Sequence, residues 1–457
     1  MRRLSRRKFG QALLAAGTAV PIGMLNAQEA ALPARGHVLL KGGHVLSMDA
    51  EIGDLAVGDI EIRDGRIAAV GESLNASGAE IIDAGDRLVL PGLIETHWHI
   101  WTTLLRSMAA DQGYFPVSRG VGSFYLPGDM VAGARLALAE AINGGITFVH
   151  DWCHNIRAPE YAEAAVGALA ESGIRARFSY GTPAGHPGDE TIDQRHLESL
   201  AVDWERYSGG GRIGLGLAWR GVGSPASLAD RELADGLGLP VSVHVNNFQS
   251  SAGGIARIDA AGLLGPNVQL IHAIWSSPEE ISAVAASGAS LSLSPYTELR
   301  IGFGLPMTGE YLAAGVPTGL SVDTTTLAGN ADMFAIMKAI QNVENARSLN
   351  EFQLPARRVL ERATIEGARS MGLDHEIGSL TPGKRADLIT LDTRQVNLAL
   401  MTDPAHLIVE AAQPANVDMV MIDGRLLKRD GILTAVDVDE VVSEARSALA
   451  GLNARAG

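Results

Sequence analysis

The sequence predicts an α/β chain: a (β/α)8 TIM barrel carrying a small β-sandwich domain that both chain ends build. Three observations point there. Between residues 88 and 323, eight short apolar runs alternate with helical stretches, the pattern of a parallel barrel. Strand-rich text punctuated by glycine turns flanks that middle on both sides. The 457 residues, 46% apolar and 19% charged, hold ample material for a core and exclude a disordered chain.

The elements follow in chain order. Residues 1–27 read as a twin-arginine-type signal peptide: Arg2, Arg3, Arg6 and Arg7 form a basic head, and Ser5-Arg6-Arg7-Lys8-Phe9 resembles the export motif. The apolar run 12–25 falls short of the roughly 20 residues that span a bilayer, and Leu25-Asn26-Ala27 offers a cleavage site. The expectation is an exported, periplasmic protein with no other membrane association, and no cysteine follows the run to make it a lipoprotein. Residues 36–90 and 377–436 are expected to form one discontinuous β domain. Its strands are 37–41, 45–48, 59–63, 66–70, 387–391 and 417–422, with Gly42-Gly43, Asp64-Gly65 and Asp423-Gly424 as turns. Residues 91–376 are assigned to the barrel. Its strand candidates are 88–99, 146–152, 174–181, 213–221, 240–245, 268–275, 290–295 and 317–323, with helices over 131–143, 159–172, 228–236, 278–287 and 307–314. Residues 437–457 complete the chain as a helix or tail with a solvated charged face.

The net charge of −15, with no basic run past the N-terminus, argues against a nucleic-acid partner and leaves a small molecule. The single cysteine, Cys153, excludes an internal disulfide and an all-cysteine zinc site. Gly209-Gly-Gly-Arg-Ile-Gly214 spells the dinucleotide fingerprint, but it precedes a strand instead of opening a helix, so the phosphate mechanism is missing.

Metal-capable side chains gather at strand ends. His97 and His99 end the first barrel strand, and residues two apart share a strand face, so both imidazoles can enter the barrel mouth while Trp98 turns outward. Alone the pair says little, since twelve histidines in this length give about 0.3 such matches by chance. His244, His272 and Asp323 change that: each follows an apolar run, at the C-terminal strand end where barrel active sites sit. Buried there without partners they would be costly, and a shared cation is the partner that serves all of them.

At this point the chain resembles the amidohydrolase superfamily, in particular its triazine chlorohydrolase and heterocycle deaminase branch. The matching text includes Pro91-Gly-Leu-Ile-Glu-Thr-His97-Trp-His99, Gly145-Ile-Thr-Phe-Val-His-Asp151, His272-Ala-Ile-Trp-Ser-Ser-Pro-Glu-Glu and Ala314-Gly-Val-Pro-Thr-Gly-Leu-Ser-Val-Asp323. It also includes Ala363-Thr-Ile-Glu-Gly-Ala and Ile377-Gly-Ser-Leu-Thr-Pro-Gly-Lys-Arg-Ala-Asp-Leu-Ile, and runs over residues 36–430. The resemblance implies His97, His99, His244 and Asp323 as metal ligands and His272 as a residue aimed at the activated water or the substrate. His272 and Asp323 are then the catalytic pair. A two-metal site in this superfamily usually needs a lysine or glutamate on the fourth strand. No lysine lies between Lys41 and Lys338, and 213–221 holds no glutamate, so one divalent metal is expected. Cys153 lies just past the second strand, where the resemblance implies that some relatives bridge through a thiolate; an inert buried thiol is the commoner reading. Three nitrogens and a carboxylate suit Zn²⁺ or Fe²⁺, with Zn²⁺ the first expectation. The chemistry implied is hydrolysis by metal-activated water, with Asp323 accepting a proton and His272 polarising the atom that gains negative charge.

The chain departs from that pattern in two places. Deaminating relatives carry a glutamate three residues after the fifth-strand histidine; here Asn247 stands there and cannot carry a proton. Glu298, in Pro295-Tyr-Thr-Glu298, reads as a displaced acid or, more simply, as a surface or structural glutamate. Trp101, Trp152, Trp275, Asn247 and Glu298 are the substrate-binding candidates, while His154 and His186 read as solvated loop histidines. The expected function is hydrolysis of a C–N or related bond in a small cyclic, aromatic or heterocyclic compound. The alternatives are an amidase or peptidase-like activity on N-acyl substrates, and a metal-containing periplasmic binding protein without turnover. Dimers are common among similar proteins, so a homodimer is compatible with this reading.

Overall fold

The structure is a computed structural model that describes residues 32–457. The signal-peptide reading of residues 1–27 lies outside them.

The described chain opens with five strands: β1 (Val38–Leu46), β2 (Asp54–Arg63), β3 (Arg66–Gly71), β4 (Glu80–Asp83) and β5 (Arg87–Pro91). Eight parallel strands follow: β6 (Leu93–Ile94), β7 (Ile146–Cys153), β8 (Arg175–Tyr180), β9 (Ile213–Trp219), β10 (Val241–Val245), β11 (Val268–His272), β12 (Ser290–Leu293) and β13 (Thr318–Leu320). They hydrogen-bond in sequence order. Between β6 and β13 the ring closes through the bridges Glu95↔Leu320 and Trp98↔Asp323. The expected strand 88–99 is therefore two pieces. Arg87–Pro91 pairs with the β domain, and only the part after Gly92 enters the barrel. The apolar run is continuous, so its text alone could not mark the break. Gly92 sits at the junction, and a Cβ there would lie 2.0 Å from Thr147 Oγ1.

Two connecting helices, Pro159–Ser172 and Pro278–Ser287, have the bounds expected of them. Each opens on a proline at its first position and stops at a glycine in the left-handed region, Gly173 and Gly288. The helix expected over 131–143 starts earlier, at Pro127, and packs against the C-terminal helix Val438–Ala456, with Arg135 paired to Glu444.

The chain then returns to the first sheet with β14 (Leu388–Asp392), β15 (Val417–Ile422), β16 (Arg425–Arg429) and β17 (Ile432–Leu433). β14 lies antiparallel to β5, Leu388 opposite Pro91. The nine strands form one hydrogen-bonded sheet that turns a corner at β1, whose first half pairs with β4 and whose second half pairs with β5. Ile60 and Ile62 of β2 share one core with Leu388 of β14 and Met421 of β15. The turn at Asp64-Gly65 meets the turn at Asp423-Gly424, where a Cβ on Gly424 would approach the Gly65 Cα to 2.6 Å. A buried ion pair fastens this domain to the barrel floor. Arg175, at the start of β8, donates to both oxygens of Asp387, at 2.6 and 3.1 Å. The Asp387 Oδ1 also accepts the Asp423 backbone N–H at 2.7 Å.

Candidate metal centre

Four strand ends deliver five polar side chains to one point at the barrel mouth. The stretch His97-Trp98-His99 is held on both sides: Trp98 N–H donates to His150 O, and His99 N–H donates to Asp323 O. That alternation turns both imidazoles inward and buries Trp98 completely in the opposite direction. One ligand atom from each of His97, His244, His272 and Asp323 lies within 4.8 Å of all the others. His99 joins through Asp323, its Nε2 3.3 Å from Oδ1, the same separation that His97 Nε2 keeps from that oxygen.

The distances to Asp323 separate His97 and His99 from His272. A tetrahedral zinc ion with bonds of about 2.0–2.1 Å sets its ligand atoms about 3.3–3.4 Å apart. His97 and His99 both meet that spacing to Asp323 Oδ1. His272 Nε2 faces the other carboxylate oxygen, Oδ2, at 3.9 Å. The protonation pattern agrees. His99 Nδ1 donates to Trp152 O at 3.0 Å, leaving Nε2 with its lone pair. His97 is fully buried, and neither of its ring nitrogens has a hydrogen-bond partner. A buried imidazole without partners costs about 1–3 kcal/mol for each unsatisfied group, so the site as built asks for a cation. Burial, reinforced by the neighbouring imidazoles, holds His97, His99 and His244 well below the ordinary histidine range, as neutral ligands must be. The donor set therefore fits a single divalent metal.

Backbone strain marks the same positions. His272 (φ 69°), Asp323 (φ 60°) and Asn246 (φ 52°) adopt the left-handed region although none is glycine. Such residues cost about 1–3 kcal/mol each and persist only where the surroundings fix them. Asn246 shows how: its amide bridges Ser276, Glu280 and the Gly254 N–H, locking the loop beyond His244.

The surroundings hold three departures from expectation. Glu298 is not a surface residue: it is fully buried, and its Oε1 accepts from His272 Nδ1 at 3.0 Å and from the Ser294 N–H at 2.8 Å. Burial opposes a charge on His272, but Glu298 and Asp323 outweigh it and raise the imidazole above its ordinary value; burial also raises Glu298. His154 is half-buried and turned into the site: its ring packs 4.1 Å from that of His99, and its Nδ1 accepts from the Trp101 indole N–H at 3.3 Å. Burial pushes it down to about 4. Glu95 went unremarked in the sequence. It is fully buried and binds the His97, Val322 and His150 N–H groups from three strands, and burial raises it to about 8. Its signal was present, an acid inside an apolar strand two residues before a ligand.

The other candidates are spread over the mouth. Trp152 is buried, with its ring 4.4 Å from that of His244. Trp101 reaches the centre through His154, as above. Trp275 is partly exposed at the rim and donates to Phe303 O at 2.7 Å. Asn247 Oδ1 is buried without a partner. Cys153 is buried and outside the metal-capable group found among the described residues, and His186 bonds only to backbone in its own loop. Sequence reasoning missed Phe303 and Phe248, which form an aromatic chain out of the site. The Phe303 ring lies 5.2 Å from His272 and 4.7 Å from Phe248.

Comparison with known proteins agrees with this picture. Residues 88–427 match the Amidohydrolase family. The 5'-deoxyadenosine deaminase of Methanothermobacter thermautotrophicus is 29% identical over 439 residues, covering 91% of this chain and 98% of that protein. The 5-methylthioadenosine/S-adenosylhomocysteine deaminase of Nitratidesulfovibrio vulgaris is 30% identical over 440 residues, covering 90% and 96%. Among solved structures, a zinc-bound adenosine deaminase from Xanthomonas campestris superposes with a TM-score of 0.80 at 22% identity, covering 92% of this chain and all of that one. The zinc complex of atrazine chlorohydrolase from Arthrobacter aurescens superposes with a TM-score of 0.80 at 22% identity, covering 90% and 100%.

Proposed function

The chain belongs to the amidohydrolase family, and from that premise we propose that it is a single-zinc hydrolase cleaving a C–N or related bond at an electron-poor carbon of a neutral heterocycle. The observation that carries the reading is the convergence of His97, His99, His244 and Asp323, with His97 buried and neither of its nitrogens hydrogen-bonded. Those four residues would hold the ion. When bound, it supplies Lewis-acid activation of a water nucleophile at neutral pH.

The protein's own groups divide the remaining work. Asp323 Oδ1 faces His97 and His99, so Oδ2 is the oxygen left to accept a proton from the nucleophile. His272 Nε2 stands beside that oxygen, placed to hydrogen-bond the substrate atom that gains negative charge. Trp152 and Phe303 wall the centre and offer flat apolar surfaces to a ring. The named substrates of the relatives, 5'-deoxyadenosine and atrazine, both carry nitrogen heterocycles, and this supports the same substrate class here. Asn247 disfavours reactions that need a proton relay at that position, so substrates with good leaving groups come first. The twin-arginine pattern supports export to the periplasm.

The test is metal quantification followed by a hydrolysis screen over amino- and halo-heterocycles, imides, amides and esters. About one zinc per chain and turnover abolished in Asp323→Ala are expected. Two ions per chain would refute the single-ion assignment, and a metal-loaded protein inert across the whole screen would favour a binding protein.

A further inference from the structure

Glu298 reaches the site from the end of β12, not from the segment that carries His244. It lies on the short helix Pro295–Ile301 and folds back so that one oxygen, Oε1, receives two N–H donors, His272 Nδ1 and the Ser294 amide. The other oxygen, Oε2, is buried and has no partner. The carboxylate is anchored through a single oxygen, which joins the imidazole to the start of its own helix. The same loop grips His272 a second time. The Phe303 N–H donates to Glu298 O at 3.0 Å, and the Phe303 ring packs 5.2 Å from the imidazole. With Nδ1 engaged, the ring cannot flip without losing a charge-assisted hydrogen bond. Nε2 therefore stays turned toward Asp323.

We propose that Glu298 is a positioning residue of the site: it holds His272 through Nδ1 and keeps Nε2 turned toward Asp323 and the reacting atoms. The arrangement has the logic of a carboxylate–imidazole pair in which the acid orients the working histidine. The proposal rests on the hydrolytic reading above.

Glu298→Gln in the full-length, zinc-loaded protein tests it, since the shape is kept and the charge removed. kcat should fall about 10–100-fold, the usual cost of losing such a partner, with KM changed less than about threefold and the zinc content of the parent retained. The second measurement is independent of turnover. In 15N-histidine-labelled parent protein, a proton on His272 Nδ1, assigned by its loss in His272→Asn, should be present, with Nε2 also protonated where it donates to substrate, and should shift in Glu298→Gln. An unchanged kcat in the variant, or a His272 proton found on Nε2 alone in the parent, overturns the proposal. If the variant does not fold, the parent spectrum decides. If the parent turns over nothing, the hydrolytic reading fails, while the spectrum still settles the Glu298 contact.

Discussion

Replacing Arg175 by methionine tests whether the two domains are welded by one buried ion pair. The guanidinium is 4% exposed and binds both oxygens of Asp387, itself 2% exposed, while Asp423, 1% exposed, stands 3.8 Å away. Methionine fills similar volume but leaves the Asp387 carboxylate buried without its counter-charge. Asp423 keeps Arg35 and Arg385. Removing one member of a buried pair costs about 3–5 kcal/mol, because the remaining charge is uncompensated. A second variant, Arg175→Met/Asp387→Leu, removes that charge. It should recover most of the loss, short of about 1 kcal/mol for the Asp423 N–H that Asp387 Oδ1 accepted. Urea unfolding followed by circular dichroism, with zinc saturating in all samples, reads both. A single variant within about 1 kcal/mol of the parent, or a double variant less stable than the single one, would refute the weld.

Three further outcomes are expected. Gly92→Ala should abolish soluble expression or lower the thermal midpoint sharply, because its Cβ would lie 2.0 Å from Thr147 Oγ1 between the two sheets; a melting curve like the parent's would show that the junction yields. Burial depresses the Lys428 ammonium to about 8, where its Nζ donates to Asn143 O. Unfolded lysine titrates near about 10.4, so the folded state releases this proton first and stability gains across that window as pH rises, with no change below it. Relative to Lys428→Met the parent should therefore gain stability between about pH 8 and 10, and parallel profiles would contradict the burial cost. Fused to a reporter that requires export, residues 1–35 should lose function when Arg6 and Arg7 both become lysine; unaffected export would remove the twin-arginine reading.

The readable parts of this molecule are those with local signatures. His244, His272 and Asp323 each close an apolar run, so their place at strand ends could be read directly. The bounds of Pro159–Ser172 and Pro278–Ser287 followed from a leading proline and a trailing glycine. What escaped depended on distant partners. Arg87–Pro91 looks like the first half of a barrel strand until Leu388, far along the chain, pairs with Pro91. Glu298 looks like any acid in a turn, and its meaning lies in the imidazole that β11 sets beside it. His154 reads as a loop residue because nothing near it in sequence reveals that His99 packs against its ring.

The pairing of β5 with β14 also governs how the protein is made. Pro91 waits for Leu388, about 300 residues later, which at roughly 5–20 residues per second is about 15–60 s of synthesis. Throughout that interval the early strands have an open edge, exposed to mispairing with other nascent chains. The sheet is therefore complete only once β14 to β17 have been made and have folded back onto β5.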